Sequence, residues 1–162
     1  MRVVALAGGV VAIDQATKLI MLDLLPLGAR IEVVHGFLAV TLVRNPGLAF
    51  GLLGNLPVAW RWIVAALSIG ALVVLARVAL RLLPTAAGLD VAAIGLIFGG
   101  AAGNLIDRAR FGAVVDFIDV YYRGWHWPAF NAADSAITVG VTLLALRLVW
   151  SRPATESARS GA

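Results

Sequence analysis

Four long apolar runs dominate the hydropathy pattern, each bounded by polar or turn-forming positions. The first covers about residues 3–25 and is interrupted by Asp14, Lys18 and Asp23, while the second, about 58–83, has an apolar core from Trp62 to Ala76. The third and fourth cover about 89–107 and 134–151, with their most apolar stretches at Val91–Ile106 and Ser135–Trp150. Runs of this kind predict membrane-spanning α-helices. Trp60 and Trp62 mark one interface of the second span, and Arg77 and Arg81 the other. At 1.5 Å per residue the last two stretches cover only ~24 Å of a ~30 Å hydrocarbon core. Their flanking residues Asp107, Arg108 and Asp134 are therefore expected at the membrane boundary.

Two connections are long. In the first, a β-rich loop over about 28–53, Arg30–Val34 and Phe37–Arg44 read as two strands around His35-Gly36, ended by Asn45-Pro46-Gly47. This predicts a small sheet resting on the membrane surface. The second, Arg108 to Asn131, carries Phe111, Phe117, Tyr121, Tyr122, Trp125, Trp127 and Phe130, an aromatic density expected of a segment lying in the interface. Between the second and third spans the turn around Pro84 to Gly88 is short, and the tail 153–162 is expected to be disordered. The expected fold is an all-α membrane protein of four transmembrane helices with a small sheet, a single domain over 1–152.

Composition supports a lipid environment. The 162 residues are 61% hydrophobic and 14% charged, with mean hydropathy +0.94, far more apolar than the ~45–50% usual in soluble domains. The net charge of +4 comes from twelve arginines and one lysine scattered along the chain, without the basic stripe that nucleic acid requires. Anionic lipid headgroups are the better partner. With no cysteine and only two distant histidines, His35 and His126, neither a thiolate site nor a metal site is expected. Only Val3 and Val4 separate Arg2 from the small-x-small Ala5-Leu6-Ala7, too few for a signal-peptide core, so the first span is expected to be retained. Charge does not orient the four spans. Six arginines fall on each side, so both termini share one face whose identity stays open.

Charges within spans cost ~2.5–3.5 kcal/mol each on insertion scales, so each needs a reason. Asp14 and Lys18, four apart on one helical face, can neutralise one another, either as a structural pair with Lys18 snorkelling outward or as part of a site. Gly95, Gly99 and Gly103 form a stripe that lets a neighbouring helix approach closely. For Asp107 the favoured role is to cap and anchor its helix end. Asp116 stands in the apolar run Val114-Val115-Asp116-Phe117-Ile118, where desolvation raises a carboxyl pKa. Asp134 opens the fourth span, where the helix N-terminus favours an anion. Two carboxylates in unequal environments suit acid/base catalysis, one activating water and the other hydrogen-bonding a carbonyl. On spacing alone this signal is weak, and two rivals stand beside it: a non-enzymatic binding protein, or an ion path through Asp14, Lys18, Asp116 and Asp134, which would predict polar residues through the depth of several spans where the second and fourth have almost none.

The specific signal lies in five ordered blocks. These are Asp14-Gln15-Ala16-Thr17-Lys18, Arg44-Asn45-Pro46-Gly47-Leu48-Ala49-Phe50-Gly51, Gly99 to Arg108, Val114-Val115-Asp116-Phe117, and Phe130-Asn131-Ala132-Ala133-Asp134-Ser135-Ala136-Ile137. In order and content they resemble the lipoprotein signal peptidase (type II signal peptidase) family. Departures are confined to Leu48, where alanine is frequent, and Gly51, where serine is. The resemblance implies a multi-pass enzyme of the bacterial cytoplasmic (inner) membrane, with cytoplasmic termini and a site near the outer leaflet. It implies Asp116 and Asp134 as catalytic aspartates, with Asp14, Lys18, Asn45, Gly47, Asn104, Arg108 and Asn131 supporting the site or binding substrate. The implied reaction removes the signal peptide from a diacylglyceryl-modified prolipoprotein on the amino side of the lipidated cysteine, without metal or organic cofactor.

Overall fold

The computed structural model describes residues 1–47, 58–82 and 88–150. The expected tail 153–162, most of the expected turn at 84–88 and the stretch 48–53 of the first connection lie outside the described residues. Within them, helices α1 (Arg2–Leu24), α2 (Val58–Leu82), α3 (Gly88–Phe111) and α4 (Ala132–Trp150) are joined by strands β1 (Arg30–Val34), β2 (Leu38–Asn45), β3 (Val114–Tyr122) and β4 (Trp125–His126). Helices α1, α3 and the Trp62–Arg81 part of α2 are long and apolar enough to cross a membrane. The fourth helix forms where the sequence predicts the last span.

Two expectations change. Helix α3 is not short: its 24 residues reach ~36 Å, and Asp107 and Arg108 belong to its C-terminal turns. Helical hydrogen bonding continues past them until Gly112, at φ 66, donates to Arg108 O and ends the helix. The aromatic connection, in turn, is not irregular: it contains strands β3 and β4. Strand β3 pairs antiparallel with β2, bringing Val43 opposite Asp116 and Asn45 opposite Val114, in a sheet of order β1-β2-β3-β4. A chain leaving a helix at a membrane boundary must pair its backbone N–H and C=O groups, and β-branched and aromatic residues favour doing so as a strand.

Packing is inverted relative to a protein in water. Val4, Ile13, Leu19, Leu67, Val74 and Leu80 face outward, whereas Asp14, Lys18, Asp107, Asp116 and Asn131 are among the most fully buried side chains. An apolar exterior around a polar interior is stable when lipid is the surrounding solvent. The glycine stripe works as expected. A Cβ on Gly99 would lie 2.6 Å from Val10 Cβ, and one on Gly103 would strike Asp14, so α1 and α3 are in near backbone contact. Gly140 does the same for α4 against Ala93 O of α3.

Candidate functional site

The site is assembled where the C-terminal part of α3, the N-terminus of α4 and the start of β3 converge over α1. Lys18 does not snorkel. Its Nζ donates to Asp14 Oδ2 at 2.8 Å and Asn104 Oδ1 at 3.0 Å, and pairs with Asp107 Oδ2 at 2.8 Å. Three ammonium protons meet three acceptors, so turning inward satisfies the cation better than a route to the surface would. Asp107 does more than anchor a helix end: its Oδ1 accepts from Gln15 Nε2 and its Oδ2 from Val115 N, tying β3 to α1 and α3. Asp14 Oδ1 accepts from Ala133 N and so satisfies one of the open N–H groups at the start of α4.

Asn131 and Asp134 cap α4 reciprocally. Asn131 Oδ1 accepts from Asp134 N at 3.0 Å, and Asp134 Oδ2 accepts from Asn131 N at 3.2 Å, the geometry of a capping box. The same two side chains face the middle of the site. Asn131 Nδ2 donates to Asp116 Oδ1 at 2.7 Å, and Asn104 Nδ2 donates to Asp134 Oδ1 at 2.8 Å. From the sheet, Asn45 Nδ2 donates to Asp116 Oδ2 at 3.0 Å while its Oδ1 accepts from Gly47 N at 2.9 Å. Gly47 adopts φ 101, and a Cβ there would lie 2.6 Å from Val64 Cγ1, which requires glycine.

Burial pushes the Asp116 carboxyl up to about 7; the Asp134 charge also raises it, while hydrogen bonds from Asn45 and Asn131 and the Lys18 charge oppose the rise. Arg108 lies within electrostatic reach of Asp134, Asp116 and Asp107. Its guanidinium is loosely held, with one 3.4 Å hydrogen bond to Asn104 O, and its buried Nε has no partner among the described residues. Besides a space of about 390 Å³ at Trp127, Phe130 and Asp134, two cavities reach the carboxylates. One, of about 350 Å³, lies between α2, α3 and α4 and reaches Asn104, Arg108 and Asp134. The other, of about 490 Å³, lies against the sheet and reaches Asn45 and Asp116. Among the described residues no group of three or more His, Cys, Asp or Glu side chains is arranged to hold a metal ion.

All nine residues singled out from the sequence thus belong to one connected cluster, Gly47 through its bond to Asn45. Gln15 and Asp107 belong to it as well. Gln15 carried a usable signal, a polar residue beside Asp14 in an apolar span. A second cluster on β3 was also missed: Asp119 Oδ2 accepts from Arg30 Nε at 2.9 Å, and its carboxylate accepts from His126 Nδ1 at 2.9 Å. The reasoning that picked out Asp116, a charge within an apolar run, applies equally to Asp119 three residues later.

The sequence matches the family model described as signal peptidase (SPase) II over residues 6–150. It is 47% identical over 139 residues to a lipoprotein signal peptidase of Geobacter metallireducens, covering 85% of this chain and 83% of that one. A lipoprotein signal peptidase of Nitratidesulfovibrio vulgaris is 40% identical over 158 residues, 95% and 92% of the two chains. A bacterial membrane enzyme solved by the in meso method superposes with a TM-score of 0.73 at 35% identity, over 96% of this chain and 92% of that chain. With that breadth of agreement, and three helices able to cross a membrane, the chain belongs to the signal peptidase II family.

Proposed function

We propose that this protein is a membrane aspartic endopeptidase that removes the signal peptide from diacylglyceryl-modified prolipoproteins, cutting on the amino side of the lipidated cysteine, with Asp116 and Asp134 as its catalytic pair. The observation that carries the assignment is Asn131, which donates to Asp116 from its side chain and binds Asp134 through a reciprocal cap. One residue thereby holds both carboxylates in register.

In the mechanism, Asp134 at the head of α4 acts as the base, taking a proton from water as its oxygen attacks the scissile carbonyl. Protonated Asp116 donates a hydrogen bond to that carbonyl oxygen and stabilises the tetrahedral intermediate. Collapse breaks the C–N bond, and the proton taken by Asp134 passes to the departing cysteine nitrogen. The pair titrates as a unit. Arg108, with donors to spare, binds a substrate carbonyl, and Asn104 orients Asp134. Asp14, Lys18 and Gly47 support these groups rather than contact substrate.

Four membrane-crossing helices, cytoplasmic termini and a site near the outer leaflet complete the reading, with residues 1–152 acting as one unit. A diacylglyceryl substrate lies in the bilayer, so its peptidase needs carboxylates and water at a membrane boundary. Purified Asp116→Asn and Asp134→Asn variants, inserted in membranes and tested on a diacylglyceryl lipopeptide, should each lose about 10²–10⁴-fold in rate, the usual contribution of a general acid or base. Cleavage at the unmodified rate by either variant refutes the pair.

A further inference from the structure

The sheet-side cavity holds chemistry that the catalytic pair does not use. Alongside Asp116 and Asn45 it is lined by Arg30, Arg44, Asp119 and His126. Asp119 is buried. Burial alone would raise its carboxyl, but hydrogen bonds from His126 and Arg30, with their charge, outweigh this and hold it below the usual carboxylate range. Its oxygens are committed to those two partners. Arg30 gives Asp119 only its Nε and rests its guanidinium 4.3 Å over the Tyr121 ring, which also stacks on His126. Its terminal nitrogens make no hydrogen bond to another described residue. Arg44 stacks over Phe111 at 5.3 Å and has no carboxylate partner among the described residues. The cavity wall therefore presents fixed cationic donors, while its one ionised carboxylate beyond the catalytic pair is already spent.

Its position decides what reaches it. A substrate passing between Asp134 and Asp116 has one arm in the cavity among the membrane-spanning helices α2, α3 and α4, where Leu72, Leu75, Ile97 and Ile137 lie beyond Asn104 and Arg108, and the other in the cavity against the sheet, where Arg30, Arg44, Asp119 and His126 lie. The signal-peptide arm is apolar and returns to the bilayer, so it takes the former. The mature arm, which continues into water, takes the latter. Asp119 lies three residues beyond Asp116 on β3, ~10 Å in an extended chain, matching about the third residue after the cysteine.

We propose that the cavity bounded by Arg30, Arg44, Asp119 and His126 is a binding subsite for the mature-side segment of the substrate, selecting acidic over basic side chains about three residues past the lipidated cysteine. Asp119 and His126 are positioning residues that hold Arg30 in place, and Arg30 makes the contact. The inference rests on the peptidase reading above.

The test is a competition between two diacylglyceryl lipopeptides identical except for Glu or Lys at the third position after the cysteine. The wild-type protein should favour the Glu peptide by ~3–5-fold in kcat/KM at low salt, the scale of a partly exposed charge contact. Raising the salt until the screening length is only a few ångströms should shrink that ratio, and Arg30→Gln should bring it within ~2-fold of one. Because the ratio is read within each protein, a general loss of rate cancels, and the salt series stands even if the variant does not fold. A wild-type ratio of one, a preference for lysine, a ratio indifferent to salt, or a ratio retained in Arg30→Gln overturns the subsite. Failure of the wild-type protein to cut either peptide instead overturns the peptidase reading, and the subsite with it.

Discussion

Asp116 carries the most chemistry of any single residue. Its carboxyl sits near 7 because burial outweighs the hydrogen bonds of Asn45 and Asn131, which favour the anion. Protonated Asp116 is the required form in the proposed mechanism, so kcat/KM should fall as pH rises through about 7, the alkaline limb belonging to the pair. Asn45→Ala removes a donor that stabilises the carboxylate, so the limb should move to higher pH. A role for Asn45 confined to holding the fold would lower the rate without moving the limb. The pH profile of lipopeptide cleavage therefore separates the two roles of Asn45.

Among the elements, the α1–α3 contact sets the site's dimensions. Gly103 faces Asp14 so closely that a methyl group there would meet the carboxylate that binds Lys18 and caps α4. Gly103→Ala should cost ~1–3 kcal/mol through overpacking, seen as a lower melting temperature in detergent together with reduced cleavage. Gly70 in α2 has nothing within 4 Å of an added Cβ. Gly70→Ala should leave stability unchanged or slightly raised, because glycine is a poor helix former. Equal losses at both positions, or no loss at Gly103, would show that the close approach of α1 and α3 does not govern the bundle. The sheet contributes by register: pairing Val43 with Asp116 brings the Asn45 side chain within reach of that carboxylate.

Across the whole molecule, Lys18 is the electrostatic keystone. It neutralises Asp14 and Asp107 in the interior, and those carboxylates in turn hold α4 and β3. Lys18→Met would leave two buried carboxylates without their cation, a loss on the order of 3–5 kcal/mol. Thermal unfolding in detergent should show a large drop in melting temperature, and Asp14→Asn combined with Lys18→Met should recover part of it. An ion path through these groups is disfavoured by the same geometry, since Lys18 has no donor left to pass on. At the far end of α3 and α4 the described charges are paired as Asp90 with Arg147.

The helices were legible in the sequence because lipid imposes long apolar runs, and a run of that length has few other uses. The first two strands were legible from their turn chemistry at His35-Gly36 and Asn45-Pro46-Gly47. The candidate pair was marked by charges that an apolar segment does not carry without cause. Strand β3 was hidden: its aromatic content marks a segment of the interface without fixing its backbone, and only pairing with β2 shows it to be a strand. The inward turn of Lys18, the second role of Asp107 and the Arg30–Asp119–His126 cluster were hidden for the same reason. Each depends on partners 7 to 89 residues away, and local pattern carries no record of such distances. Asp116 and Asp134 were named from the chain alone. That one asparagine holds them together, with one cavity among the helices and another against the sheet, follows from how the helices and the sheet meet.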